Sequence, residues 1–451
     1  MKIKDCIGIC NAKLIVGTLE DELKNFSKDT RTIKEGDTYI ALKGEAFNGN
    51  TFFEDAFRKG AKTCILDELD QPELIIEKYP NKNIILVDNT LDFMIALASK
   101  KRKDITAPVI AITGSVGKTS TKNIVASVLS QKYKVLSTKG NLNTKIGLSL
   151  MILNYQEEDY LVLEMGMNEF GEIRALTNIA KPNIAIITNI GTSHIGNLGS
   201  RENILKAKLE ILEGLSGPVI INNDNDLLHN WYEKEKEREI ITFGIEEKSD
   251  VEAEQITYSK EGSSFIIDKK EYTLPVYGKA FIYNALVGYI IGKLCNIEPD
   301  KIKSSFENFR GEEHRMEKIF KNDITIIDDT YNASYDSVYF ALDVLSHLEG
   351  RKIAVLGDIL ELGDYSEEIH RNIGKLIIKN KIDILITIGK FAKFINEEAK
   401  KEGLNSQNSY HFEKNSEAVN LLKMILKKDD IILLKASHGM NFLEIVDALT
   451  K

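Results

Sequence analysis

The 451-residue chain has only seven prolines, four cysteines and one tryptophan, and each scarcity excludes something. No apolar run approaches the ~18 residues a membrane-spanning helix needs, so no membrane span is expected. The N-terminus, Met1-Lys2-Ile3-Lys4-Asp5, lacks the apolar core of a signal peptide, and a cytoplasmic location is expected. Cysteines at 6, 10, 64 and 295 make no zinc-type pair of pairs. Cys6 and Cys10 read as free thiols of a reducing compartment. Positive charge is also scarce: 59 Lys and Arg stand against 68 Asp and Glu, a net charge of −9. A duplex nucleic-acid binder normally shows a basic face, and the run Lys100-Lys101-Arg102-Lys103 is too short to make one. It reads as a helix end or solvated linker. No short-period repeat or low-complexity tract is present.

What remains is an ordinary globular composition, 43% hydrophobic and 28% charged, long enough for two to four domains. Its most informative stretch is Gly114-Ser115-Val116-Gly117-Lys118-Thr119. An apolar strand, Val109-Ile110-Ala111-Ile112, precedes it, and an amphipathic helix, Lys122 to Leu129, follows. A strand, a glycine loop closing on Lys-Thr and a helix form the layout of a phosphate-cradling loop. Glycine lets the backbone approach an anion, and the helix N-terminus offers unpaired N–H groups. Lys118 is expected to reach the terminal phosphates and the Thr119 hydroxyl to ligate Mg²⁺. The loop is unusual in its spacing: Ile112 occupies the position of the customary first glycine, and only two residues separate Gly114 from Gly117.

Three regions separate by pattern. Residues 1–106 hold short strands (Thr38–Leu42, Thr63–Leu66, Asn83–Val87) with helical stretches between. Residues 107–312 alternate strongly, with strands at Val109–Thr113, Tyr160–Met165, Asn183–Asn189 and Pro218–Asn222, and helices from Thr119, Gly171 and Arg201. Continuous apolar runs of this kind suit parallel strands buried on both faces. Residues 247–276 read as a small β insertion, followed by a helix from Tyr283 to Leu294. Residues 313–451 resume the alternation with strands at Ile324–Asp328, Lys352–Leu356, Ile382–Ile388 and Ile431–Leu434. The expected class is α/β in three domains: a smaller N-terminal α/β domain, a central P-loop domain with a doubly wound, mostly parallel sheet, and a C-terminal Rossmann-like domain.

Ligands of open parallel sheets bind beyond the carboxyl ends of strands, which makes polar residues there candidates. Glu164 ends Tyr160-Leu161-Val162-Leu163 and suits a Mg²⁺ ligand, or else a helix cap. His194 lies just past the next buried strand, as ligand of a second cation or as a hydrogen-bonded loop histidine. On the helix Arg201–Leu215, Lys208 borders the apolar stripe, whereas Lys206 shares a polar face with Glu202, Asn203 and Glu210. Burial lowers a lysine pKa. The resulting neutral amine can add CO₂ to form an anionic carbamate, the bland alternative being a snorkelling side chain. In Asp328-Asp329-Thr330-Tyr331-Asn332-Ala333, Asp329 suits ribose hydroxyls and Tyr331 a base, unless the stretch is only a polar turn. Asp358, after Ala354-Val355-Leu356-Gly357, is a similar strand-end site.

These stretches together resemble the Mur ligases, ATP-dependent amide-bond ligases of peptidoglycan precursor synthesis. The family's shortened phosphate loop matches Gly114-Ser115-Val116-Gly117-Lys118-Thr119-Ser120-Thr121-Lys122. Asp29-Thr30-Arg31 and Ala41 through Phe52 resemble its uridine-nucleotide domain. Gly140-Asn141-Leu142-Asn143 resembles its substrate loop, and Leu163 to Met167 with Asn189-Ile190-Gly191 and His194 its metal site. The family lysine that can be carbamylated falls on Lys208. Leu356 to Gly363 resembles its C-terminal domain. The chain departs from the pattern at Glu313-His314, Tyr283, Ser334-Tyr335 and His438, where the family often has Pro-Gly, His, Asn-Pro and Arg.

The resemblance implies a ligase that activates the carboxylate of a UDP-N-acetylmuramoyl-tripeptide as an acyl phosphate and joins it to D-alanyl-D-alanine. It implies ATP, two Mg²⁺ ions and a CO₂-derived carbamate on Lys208. It implies catalytic Lys118, His194 and Lys208. Thr119, Glu164, His194 and Lys208 would be metal ligands. ATP contacts would come from Gly114, Ser115, Gly117, Lys118, Thr119, Ser120, Asn284, Arg315, Asp329 and Tyr331. UDP-substrate contacts would come from Thr30, Arg31, Asn50, Asn143, Thr144 and Arg201, and dipeptide-side contacts from Asn332 and Asp358. A monomer is expected. Alternatives are a folylpolyglutamate synthase-like ligase of the same fold and a P-loop NTPase that performs no ligation.

Overall fold

The computed structural model describes residues 1–259 and 262–451; positions 260 and 261, within the expected β insertion, lie outside the described residues. At its centre is a seven-stranded sheet, ordered Val251–Glu252, Ile240–Gly244, Val219–Asn222, Ile184–Ile187, Val109–Thr113, Tyr160–Glu164 and Val135–Ser137. Every pairing in it is parallel. Successive strand residues point to opposite faces, and the two faces have separate cores. Ile110, Ile112, Val162, Ile186 and Ile220 pack with Ile124, Val125 and Val128 of helix Lys118–Leu129 and with helix Lys279–Leu294. Val109, Ala111, Leu161, Leu163, Ala185 and Ile187 face helices Lys145–Leu153 and Glu172–Ala180. The sheet is therefore doubly wound, as its unbroken apolar runs require.

The expected β insertion is a three-stranded antiparallel sheet of Glu254–Ser259, Gly262–Ile267 and Lys270–Leu274. The N-terminal sheet runs in the order Lys13–Val16, Asn83–Leu86, Thr63–Leu66, Thr38–Ile40, Phe26–Ser27, with only its first pair antiparallel. The C-terminal sheet is ordered Glu317–Lys321, Ile324–Asp328, Ile431–Lys435, Lys352–Gly357, Ile384–Ile388, Ser409–Phe412, again with one antiparallel edge pair.

The basic run 100–103 closes helix Thr90–Asp104, which packs on helices Lys145–Leu153 and Glu172–Ala180. Lys101 Nζ donates to Leu153 O at 2.7 Å and Arg102 Nε to Ala180 O at 2.6 Å. Each cation thus caps the C-terminus of a central helix, where unpaired carbonyls and the dipole favour positive charge. All four cysteines are free thiols.

Element ends differ from expectation where the chain turns off the sheet. The strands expected to reach Val87, Met165 and Asn189 end at Leu86, Glu164 and Ile187. The helix expected over Arg201–Leu215 is α-helical only over Arg201–Leu209 and continues as a 3-10 turn, Glu210–Gly214. The helix expected from Tyr283 begins at Lys279, after Gly278. Glu210, assigned above to a polar face with Lys206, is buried. Its carboxylate accepts the N–H groups of Gly171 and Arg174 at the start of the neighbouring helix.

Candidate active site

The order of the central sheet puts its first strand, Val109–Thr113, beside Ile184–Ile187, the strand on the other side of the topological switch. The loops after these two strands meet, and their polar atoms satisfy one another. Asn189 Oδ1 accepts the N–H of Ser115 at 3.1 Å and of Val116 at 2.9 Å. Thr188 Oγ1 donates to Val116 O at 2.6 Å, and Ser115 Oγ accepts the N–H of Gly191 at 2.9 Å. Gly114, at φ +153°, leaves no room for a side chain, since a Cβ would stand 1.9 Å from Thr188 Oγ1. Gly117, at φ +85°, caps helix Lys118–Leu129 in the left-handed conformation that glycine adopts freely. The shortened loop is thus a strand-bound turn with both glycines required by geometry.

A cleft of about 560 Å³ opens over this loop. Ser115, Gly117, Lys118 and Thr119 form its floor, with Asn143, Thr144, Glu164 and His194 beside them and Arg315, Tyr331 and Asn332 opposite. Past Arg315 it continues into a second hollow of about 470 Å³ bounded by Gly140, Asn141, Glu312 and His438. The far wall belongs to the C-terminal unit. There Arg315 lies over the Tyr331 ring, 3.9 Å from its centroid, and its Nη2 donates to Thr119 Oγ1 at 3.3 Å.

Lys118 Nζ donates to Gly114 O at 2.8 Å, folded back on its own loop. Burial lowers its pKa, with Glu164 opposing and the Arg315 charge adding to the shift. Glu164 is 3% exposed. Its Oε1 accepts Asn143 Nδ2 at 2.9 Å, whereas Oε2 is buried with no partner. A buried carboxylate oxygen left open at a phosphate loop fits a hard cation, which takes oxygen ligands. His194 sits in the left-handed region at φ +63°. Burial first, and then the Lys118 charge, lower its pKa and keep the imidazole neutral, the form that ligates metal. Lys208 is 2% exposed and is not among the residues lining the cleft. Burial and the nearby Lys118 charge push its pKa well down. Lys206, two residues earlier, is exposed.

The other expected positions divide by what their polar atoms already do. Ser120 lies half-buried in the first turn after the loop. Asn284 is buried behind Gly117 and accepts Thr121 Oγ1 at 2.7 Å. It lines a third, small cavity on the reverse side of the loop with Tyr283, Phe243 and Phe340. Thr144 caps helix Lys145–Leu153. Asp329 is bound by buried Lys435 Nζ at 2.5 Å and by Met316 N at 3.2 Å. Asn332 Oδ1 accepts Ala333 N, and Asp358 Oδ1 accepts the N–H groups of Phe391 and Ala392. Arg201 is paired with Asp226 and donates to Ile190 O, outside the cleft lining. In the N-terminal unit Arg31 is exposed and pairs with Asp29, beside Thr30. Asn50 is 6% exposed, with both amide atoms bonded to Asn48, Asp67 and Glu68. Sequence reasoning missed Lys435 and Lys122, although Lys435 ends a strand as the other candidates do. Lys122 is 3% exposed and donates to Thr138 O at 2.7 Å, one helical turn after Lys118.

Fold and cleft together define a multidomain P-loop protein whose phosphate loop is shortened and whose cleft is walled by a separate C-terminal α/β unit. Residues 112–292 match the Mur ligase middle domain, and residues 314–438 match the model described as Mur ligase, glutamate ligase domain. The chain is 38% identical to the UDP-N-acetylmuramoyl-tripeptide–D-alanyl-D-alanine ligase of Bacillus subtilis, over 97% of each chain. Among solved structures it is similar to MurF from Acinetobacter baumannii, at 28% identity with a TM-score of 0.88 over 99% and 98% of the two chains. It is also similar to MurF ligase from Thermotoga maritima in complex with ADP, at 27% identity and a TM-score of 0.82 over 94% and 97%. The chain belongs to the Mur ligase family.

Proposed function

We infer that the chain is an ATP-dependent ligase that joins D-alanyl-D-alanine to UDP-N-acetylmuramoyl-tripeptide, giving the UDP-muramoyl-pentapeptide precursor of peptidoglycan. The observation that carries this reading is 38% identity across 97% of both chains to a ligase named for that reaction. The match runs through the N-terminal region as well as the nucleotide-binding core, which separates it from a folylpolyglutamate synthase-like enzyme or a bare NTPase. The domain roles in this reading are uridine-nucleotide binding by residues 1–106, ATP binding by 107–312, and completion of the site by 313–451.

A carboxylate is a poor electrophile. Phosphorylation by ATP makes it an acyl phosphate; the dipeptide amine attacks the carbonyl, the C–O bond to phosphate breaks, and inorganic phosphate leaves with the electron pair. Phosphoryl transfer asks for positioning and charge neutralisation. The loop N–H groups and Lys118 supply these from the floor, and Arg315, held over the Tyr331 ring, supplies positive charge from the opposite wall. Thr119 and the open oxygen of Glu164 would hold one Mg²⁺, which when bound supplies further neutralisation. His194 would hold a second, with a carbamate on Lys208. The motive for the carbamate is a fully buried amine whose pKa burial lowers. Chemistry of this kind belongs in the cytoplasm, where ATP is made, and no described helix is long and apolar enough to cross a membrane. The test is phosphate release with and without each substrate. Strict dependence on ATP, UDP-muramoyl-tripeptide and D-alanyl-D-alanine together supports the ligase; turnover without an amine acceptor refutes it.

A further inference from the structure

The segment Gly191–Gly199, which carries His194, is held from two sides. From below, the phosphate loop holds it through Gly191 N to Ser115 Oγ at 2.9 Å and Ser193 Oγ to Ser115 O at 3.3 Å. From above, the C-terminal unit holds it at three points. Asp336 Oδ2 accepts Thr192 N at 2.9 Å and Thr192 Oγ1 at 3.3 Å. Glu361 O accepts Gly196 N at 3.3 Å, and Tyr365 OH donates to Gly199 O at 2.6 Å. Two glycines make the approach possible. A Cβ on Gly191 would stand 2.1 Å from Asp336 Oδ2, and one on Gly196 would stand 2.6 Å from Glu361 O. Gly191 itself has no unusual φ, so it is the space that asks for glycine there.

The Glu361 side chain adds the functional link. Its Oε2 lies 3.0 Å from His194 Nδ1, a nitrogen enclosed by protein but not in line for a hydrogen bond. The separation is within hydrogen-bond range, so it is alignment and not distance that the pair lacks. His194 lines the cleft, so with Nδ1 enclosed Nε2 would be the ring nitrogen left for a ligand. Both residues have positive φ, His194 at +63° and Glu361 at +65°, a strained conformation for a non-glycine residue that persists only where surroundings over-determine it.

We propose that Asp336 and Glu361 are positioning residues: a two-carboxylate clamp through which the seated C-terminal unit fixes the His194 imidazole for cation binding. Asp336 seats the unit on the loop, and Glu361 orients the ring, as outer carboxylates commonly orient metal-ligating histidines. Closure of the third unit would then complete the far wall of the cleft and aim its histidine in one event. The proposal rests on the ligase reading for what the cation does, but its test does not.

Two measurements on the full chain with ADP bound separate the roles. Mn²⁺ binding, followed by electron paramagnetic resonance, reads the ring. Glu361→Ala is expected to weaken it about ten-fold, and Glu361→Gln, which keeps an acceptor oxygen, to recover most of that. Solution X-ray scattering reads the seating. Asp336→Ala is expected to raise the radius of gyration, Gly191→Ala to do the same by steric exclusion, and the double variant to be no worse than either alone. Wild-type Mn²⁺ affinity in Glu361→Ala, or scattering unchanged by Asp336→Ala, overturns the clamp. A wild-type protein that fails to ligate overturns the ligase reading and leaves both measurements intact.

Discussion

Gly114→Ala tests why the phosphate loop has its unusual spacing. The added methyl would meet Thr188 at three atoms: Oγ1 at 1.9 Å, Cβ at 3.1 Å and the backbone N at 3.2 Å. Thr188 has nowhere to retreat, because its N–H is bonded to Thr113 O at 3.0 Å and its hydroxyl to Val116 O at 2.6 Å. Alanine would also have to hold φ +153°, at about 1–3 kcal/mol. Loss of the Thr188–Val116 bond adds about 1 kcal/mol. The sum, about 2–4 kcal/mol, falls on a loop whose N–H groups must converge on phosphate. If all of it appears in binding, the ADP dissociation constant rises about 30- to 700-fold.

Isothermal titration calorimetry with ADP and Mg²⁺ measures this directly, and Thr188→Ala makes the mechanism refutable. Alone, Thr188→Ala should cost about 1 kcal/mol, one lost hydrogen bond. Added to Gly114→Ala it should cost nothing more, because the methyl has already displaced that hydroxyl. Residues in contact are expected to depart from additivity in this way. A Gly114→Ala protein within about threefold of wild type, or strictly additive losses in the double variant, would falsify the steric account.

Lys208→Ala should lower ligation about 100-fold or more and regain part of it with short carboxylic acids, measured as pentapeptide product; full activity without added acid sinks the carbamate. Asp329→Ala should destabilise the C-terminal unit by about 3–5 kcal/mol in urea unfolding, since it leaves the charge of Lys435, 2% exposed, with the Asn332 carbonyl and no counter-ion. Asp329→Ala with Lys435→Met should recover most of that, and a single variant that changes only the KM for ATP would show that Asp329 serves ribose alone. His370 is fully buried, its Nδ1 facing Ser366 O and its Nε2 accepting Ile359 N at 3.0 Å, and burial lowers its pKa. With the folded pKa below the usual 6.5, the unfolded chain takes up the proton first. The His370 contribution is therefore constant above about pH 6.5 and lost as pH falls below it. His370→Gln should flatten that part of the stability–pH curve; an unchanged slope refutes the assignment.

The residues legible in the sequence are those whose role is set by near neighbours. Runs such as Val109-Ile110-Ala111-Ile112 announce strands buried on both faces, and their carboxyl ends announce Glu164 and His194. Lys208 was separable from Lys206 because helical spacing puts only one of them on the apolar side, and the two are indeed buried and exposed. What stayed hidden lies across the interface between units. Asp336 is 144 residues from Thr192, and an aspartate in the first turn of helix Tyr335–His347 is already explained by the helix dipole. Glu361 likewise reads as a loop carboxylate until the fold puts it beside His194. Resemblance has the opposite weakness, since it assigns contacts without showing which polar atoms are free to make them. Asn50, Asp358 and Asp329 spend carboxylate or amide atoms on the fold, whereas Glu164 Oε2 has no partner. Because an unsatisfied buried polar atom costs about 1–3 kcal/mol, a fold that keeps one at the mouth of a phosphate loop is stabilised when something binds there. Glu164→Gln, which alters that one oxygen and keeps the side chain's shape, is on this reasoning the substitution most expected to abolish binding of the cation shared with Thr119 while leaving the fold intact.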